Sequence, residues 1–244
     1  MDEFRWLKGL GRREDAGIML LCFHYAGGSV SMFRNWAHLL PPSIEPVAVQ
    51  LPGRADRFME TPHTSMTTLV DELIEVLEPI LDRPFACFGA SMGARVSRAL
   101  AHALRDRQLP LPRKLYVSSS TAPVLEEVVR GWNESDEELV AYMRELGGTP
   151  REVFDDDDLL SALLPILRAD LTVLATHAYH PSPPLNVPVH AFAGRDDIEA
   201  SPSLMAPWSE ETVAGFHLDV LDTGHFLNEV GLQRVIDVIS RDLG

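Results

Sequence analysis

Phe85-Ala86-Cys87-Phe88-Gly89-Ala90-Ser91-Met92-Gly93-Ala94 joins an apolar run, read as a buried strand, to a pattern of helical spacing that begins at Met92. Ser91 therefore falls on a sharp strand-to-helix turn within a G-x-S-x-G pentapeptide. Gly89 and Gly93 flank it because the turn is tight and the new helix must pass close to the strand, which presents the Ser91 hydroxyl at the top of a sheet. A glycine-rich turn that merely contains serine would match the same five residues. The readable strand before it and helix after it favour a nucleophile.

Working outward, strands alternate with helices. Residues 18–23 form a continuous apolar run, as a strand covered on both faces should, and end in the glycine-rich loop His24-Tyr25-Ala26-Gly27-Gly28-Ser29. Residues 46–51 read as the next strand, closed by Pro52-Gly53-Arg54. Over residues 66–81, Leu69, Leu73, Val76, Leu77 and Ile80 recur at helical intervals. Further strands are expected at 114–118, 187–193 and 216–221. Between Ala122 and His180 no strand is legible, and residues 122–180 are expected to be a helical insertion that forms a lid, with Leu159, Leu163, Leu164, Leu167 and Leu171 repeating at helical spacing. The run Asp155-Asp156-Asp157-Asp158 reads as a solvated helix start beside the positive end of a helix dipole, with a metal site as the alternative. Pro181-Ser182-Pro183-Pro184 closes the insertion as a stiff linker. The whole, residues 1–244, is expected to be one α/β domain.

The last two strands end in Gly194-Arg195-Asp196-Asp197 and Asp222-Thr223-Gly224-His225-Phe226. Ser91, an aspartate and His225 thus each follow the carboxyl end of a strand, in the order of an α/β-hydrolase: a mostly parallel sheet flanked by helices, here with the helical lid. The chemistry needs these types. A serine hydroxyl is a poor nucleophile until an imidazole takes its proton, and a carboxylate fixes the imidazole tautomer. Of nine histidines, His225 is favoured by its place after the final strand, with His24 in the first loop as its rival. Asp197, the third residue after Gly194, is preferred to Asp196. The developing oxyanion needs two backbone N–H donors; Met92, next after the nucleophile, supplies one and Ala26 in the glycine-rich loop the other.

Composition bounds the partners. A formal charge of −15 over 244 residues argues against nucleic acid and anionic membranes. Cys22 and Cys87 both lie in apolar strand runs and read as buried reduced thiols, and no spacing suggests a metal. The first loop has neither G-x-G-x-x-G nor a P-loop lysine, and no cofactor is expected. The N-terminal Met1-Asp2-Glu3-Phe4-Arg5-Trp6 lacks a signal-type apolar core, and no run reaches the ~18 apolar residues of a membrane span; a cytoplasmic protein is expected.

Five stretches together resemble the type II thioesterases that accompany polyketide synthases and nonribosomal peptide synthetases: Phe23-His24-Tyr25-Ala26-Gly27-Gly28-Ser29, Gln50-Leu51-Pro52-Gly53-Arg54, Phe88-Gly89-Ala90-Ser91-Met92-Gly93-Ala94, Leu146-Gly147-Gly148-Thr149-Pro150 and Gly224-His225-Phe226-Leu227. The resemblance implies an editing hydrolase that removes acyl groups from the phosphopantetheine arm of acyl or peptidyl carrier proteins. The family usually reads Gly-His-Ser-Met-Gly, and Ala90 stands where that histidine would be. The departure leaves nucleophile, base and oxyanion donor in place and bears on rate and acceptor. Two other readings are an acyltransferase on the same scaffold and a non-catalytic carrier-binding module. Because carriers of this family are usually acidic, docking on so acidic a chain would need a local patch, for which Arg34, Arg54, Arg57 and Arg95 are candidates.

Overall fold

Strands that must be covered on both faces have apolar side chains at nearly every position, and five such strands form the centre of the sheet. Ile18–Phe23 (β2), Ile44–Val49 (β3), Phe85–Ala90 (β4), Leu115–Ser118 (β5) and Val189–Gly194 (β6) are buried along their whole length. The one charged residue in them, Glu45, meets Arg83 at 2.6 Å. The short Leu7–Gly9 (β1) and the half-exposed Phe216–Leu221 (β7) form the edges. The order is β1-β3-β2-β4-β5-β6-β7, with β1 antiparallel to β3 and every other pair parallel. This computed structural model describes residues 3–11, 13, 15–125 and 129–244.

Alternation sorts the core into two layers. Met19, Leu21, Phe23, Phe85 and Cys87 pack with the helices Met66–Leu77 (α1) and Met92–Asp106 (α2), whereas Leu20, Cys22, Ala86, Phe88 and Ala90 pack with Trp36 and the C-terminal helix. Cys22 and Cys87 are free and buried, and they face opposite layers, so no disulfide can join them. The helix expected over 66–81 ends at Leu77 and continues as a 3₁₀ turn, Glu78–Ile80, because Pro79 has no N–H to carry the α-helical ladder on.

Between β5 and β6 the chain carries Asp136–Leu146 (α3), a single turn at Arg151–Phe154, and Asp157–Ala175 (α4); the C-terminal helix is Glu229–Leu243 (α5). Residues 126–128 of the expected 122–180 insertion, like Met1 and Asp2, lie outside the described residues. The aspartate run opens α4 as expected: Asp156 is the N-cap and accepts the N–H groups of Asp158 and Leu159 at 3.0 Å. The leucine series lies in α4 as its spacing predicts. Leu164, Leu167 and Leu171 are buried with Leu139 and Met143 of α3, but Leu159 is 52% exposed.

α2 leaves β4 at the turn around Ser91, and there the backbones touch. A β-carbon on Gly93 would sit 2.2 Å from the carbonyl oxygen of Phe23, and one on Gly89 would sit 2.3 Å from the Gly93 carbonyl. Gly93→Ala is therefore expected to cost about 3 kcal/mol or more, as overpacking against rigid backbone. The check is a lower urea midpoint at unchanged m-value.

Candidate active site

Three strand ends carry the candidate reactive side chains. Ser91 follows β4 with φ +51° and ψ −114°, a conformation that costs on the order of 1–3 kcal/mol and holds only when its surroundings enforce it. The enforcing bonds are Ser91 N–H to the Ser118 carbonyl at 2.8 Å and Ala94 N–H to the Ser91 carbonyl at 3.0 Å. Met92, the first residue of α2, carries an N–H with no intrahelical acceptor at the positive end of the helix dipole.

Asp197 and His225 follow β6 and β7, which the register pairs Gly194 with Leu221. His225 Nδ1 lies 3.0 Å from Asp197 Oδ2 and 3.1 Å from Oδ1. A carboxylate only accepts, so Nδ1 carries the hydrogen and Nε2 is left for a substrate or nucleophile. Asp197 Oδ1 also accepts the N–H groups of Glu199 at 2.9 Å and Ala200 at 3.0 Å. Burial alone would raise this carboxyl, but the hydrogen bond and charge of His225, with the two N–H groups, outweigh it and hold the carboxyl below its usual range. Asp196, the other candidate, is exposed and makes no such contact with His225 among the described residues.

His24, the rival base, is buried, with Nδ1 donating to the Tyr25 carbonyl at 2.8 Å. Burial first, then the charge of Arg54, lower it to about 4 and keep it neutral. Two cavities meet at Ser91 and His225, and among the described residues that line them His225 is the only histidine. The cavity beneath the insertion is about 60 Å³ and is bordered by Ala26, Met92, Arg95, Arg130, Glu199 and Leu171. The second, about 370 Å³, opens on the Ala90 side. Phe226 stands between them. Its ring packs edge-on against Tyr25 at 5.0 Å, and Gly148 lies so close to it that a β-carbon there would come within 2.3 Å of the ring.

A buried ion pair anchors the glycine-rich loop. Arg54 reaches both oxygens of Asp170 on α4, at 2.6 and 2.8 Å, and the two side chains are 4% and 3% exposed. Asp170 Oδ2 also accepts the Gly27 N–H at 2.7 Å, while Arg54 donates to the Gly28 carbonyl at 3.3 Å. Asp170 was not singled out from the sequence, where nothing distinguishes it from other helical aspartates. The expected docking patch changes accordingly. Arg54 is committed to Asp170, and Arg57 is buried over the Trp6 ring with Glu60 at 2.6 Å, so neither meets a partner. Arg34 is exposed, and Arg95 borders the smaller cavity.

Among the described residues one group of His and Asp side chains is close enough to share a metal ion: His190, His217 and Asp219. It lies toward the start of β6, away from Ser91, and Asp219 is already engaged with Arg234 at 3.1 Å. No helix among the described residues is long and apolar enough to cross a membrane.

Residues 19–243 match the family described as Thioesterase domain. The chain is 37% identical to linear gramicidin dehydrogenase LgrE of Brevibacillus parabrevis, over 98% of this chain and 92% of that one. It is 34% identical to thioesterase PikA5 of Streptomyces venezuelae, over 93% and 81%. Among solved structures it is similar to the type II thioesterase BorB from the borrelidin biosynthetic cluster, with 34% identity, a TM-score of 0.89 and 98% of both chains covered.

Asp170→Ala would leave the Arg54 guanidinium buried and unpaired, and it is expected to cost about 3–5 kcal/mol, read by chemical denaturation. A second expectation concerns acid. Unfolded His24 titrates near 6.5 and folded His24 near 4, so the unfolded chain binds more protons between those values. This contribution to stability is intact above about pH 6.5 and is lost as pH falls toward 4. His24→Asn, which keeps a donor for the Tyr25 carbonyl, should flatten the fall in melting temperature across that window. His190, also lowered to about 4, should leave part of the slope.

Proposed function

The chain belongs to the thioesterase family, and within it to the type II thioesterases; from that premise we propose that Ser91, His225 and Asp197 hydrolyse acyl groups held as thioesters on the phosphopantetheine arm of acyl or peptidyl carrier proteins, clearing stalled or wrongly primed chains from polyketide synthases or nonribosomal peptide synthetases. The observation that carries the site assignment is the 3.0 Å approach of His225 Nδ1 to Asp197 beside a cavity that Ser91 and His225 border together.

Each step uses a group already described. His225 Nε2 takes the Ser91 proton as Oγ attacks the thioester carbonyl carbon. The negative oxygen forms between the N–H groups of Ala26 and Met92, each worth about 3 kcal/mol by analogy with oxyanion donors elsewhere. The C–S bond breaks, His225 gives its proton to the departing sulfur, and the acyl group stays on Ser91. Water then enters, His225 takes a proton from it, and the same path runs to the free acid and a restored serine. Asp197 holds the imidazole tautomer and steadies its charged form throughout. Nothing in the sequence of steps calls for a cofactor. A cytoplasmic setting fits the two free, buried thiols.

The test is incubation with a panel of acyl carrier proteins, read by intact mass. Wild type should remove the acyl group as the free acid; transfer to an alcohol, amine or second thiol would instead make it an acyltransferase. Ser91→Ala and His225→Ala should each reduce turnover at least about a thousandfold, and the double variant little further, because the members act as a unit. Additive losses would argue against a triad. Asp197→Asn should cost about ten thousandfold, and Asp196→Asn about twofold at most.

A further inference from the structure

Strand alternation places Phe88 and Ala90 of β4 on the face that packs against Trp36 and α5. Phe88 fills its share of that layer, with its ring 4.8 Å from that of Trp36. Two residues later Ala90 contributes only a methyl group, and the space beyond it is the larger cavity of about 370 Å³. Met32, Trp36, Leu227 and Leu232 form its walls, and it reaches Ser91 and His225. No Asp, Glu, Lys or Arg lines it. The cavity on the other side of the nucleophile is about 60 Å³ and is bordered by Arg95, Arg130 and Glu199. One reacting centre thus sits between a roomy chamber without charged walls and a narrow cavity that three charged side chains border.

Resting on the thioester-hydrolase reading above, we propose that the Ala90 chamber receives the acyl chain and selects uncharged alkyl or aryl chains of medium length, while the side bordered by Arg95, Arg130 and Glu199 admits the slender arm that carries the sulfur. An apolar tail gains by leaving water for this chamber. A carboxylate-tipped tail would lose its hydration there with no cation to meet it. At ~30 Å³ for each water-sized group, a chamber of about 370 Å³ holds roughly twelve such groups, room enough for an octanoyl chain. Ala90 is then a specificity residue, since any longer side chain at that position would grow into the acyl path.

The experiment measures kcat/KM for acetyl, butyryl, hexanoyl, octanoyl and succinyl pantetheine thioesters. Wild type should gain about threefold to fourfold per added methylene as far as octanoyl. Succinyl should fall at least tenfold below butyryl. Ala90→Leu, which narrows the chamber beside Ser91, and Leu232→Trp, which narrows it from the opposite wall, should each lower the hexanoyl-to-acetyl ratio at least tenfold. Two variants on different elements guard against a folding defect in either. A ratio unmoved in both, or succinyl cleaved as well as butyryl, overturns the chamber while leaving the hydrolase reading intact. A wild type that cleaves none of the five, and no carrier-bound acyl group either, overturns both.

Discussion

A β-carbon at position 93 would lie 2.2 Å from the Phe23 carbonyl oxygen and 2.8 Å from that of His24, so the first turn of α2 rests directly on the end of β2. Much of the site follows from that approach. The end of β2 leads into the loop that bears Ala26, and the start of α2 bears Met92, so the contact that excludes a side chain also brings two candidate oxyanion donors to one place. Such donors act only when they stand 2.7–3.1 Å, to within roughly a few tenths of an ångström, from where the charge will form. A methyl group between the elements would separate them by more than that tolerance. The strained Ser91 backbone belongs to the same arrangement, because the turn must end β4 and begin α2 without moving either.

The ion pair between Arg54 and Asp170 acts on the other side of that loop. As a source of stability it is a poor choice, since an apolar pair of similar volume often does as well once the desolvation of two charges is counted. What an apolar pair lacks is an acceptor for the Gly27 N–H and a donor for the Gly28 carbonyl, and this pair supplies both. Its contribution is placement. Because Asp170 belongs to α4, the glycine-rich loop takes its conformation with the insertion seated upon it.

Sequence patterns revealed whatever depends on neighbours along the chain. The strands Ile18–Phe23 and Phe216–Leu221 were legible to the residue because apolar runs and turn residues bound them. β3 begins at Ile44, two residues before the expected start, since Pro46 reads as a strand opening although it lies within one. β1 was not legible at all. Three residues carry no period, and only pairing with β3 makes them a strand. Asp197 could be ranked above Asp196 from its offset past Gly194, but what separates them is the contact with His225, 28 positions away. The arginines show the limit most plainly. Charge along a chain does not reveal burial, and Arg54 finds its partner 116 positions away.

The helices between β5 and β6 stand apart from the elements that carry the candidate site. Ser91, Asp197 and His225 hang from the ends of β4, β6 and β7, whose register is fixed by a ladder of backbone bonds that the insertion does not enter. Its helices α3 and α4 have a small core of their own and meet the sheet as a wall of the smaller cavity. Changes on most of that surface can reshape the cavity without moving any of the three candidate groups. Two points are exceptions. Asp170 holds the glycine-rich loop, and Gly148 lies against Phe226, the residue after His225. At these positions a change in the insertion reaches the chemistry through one intervening residue, and there the freedom to vary a wall ends.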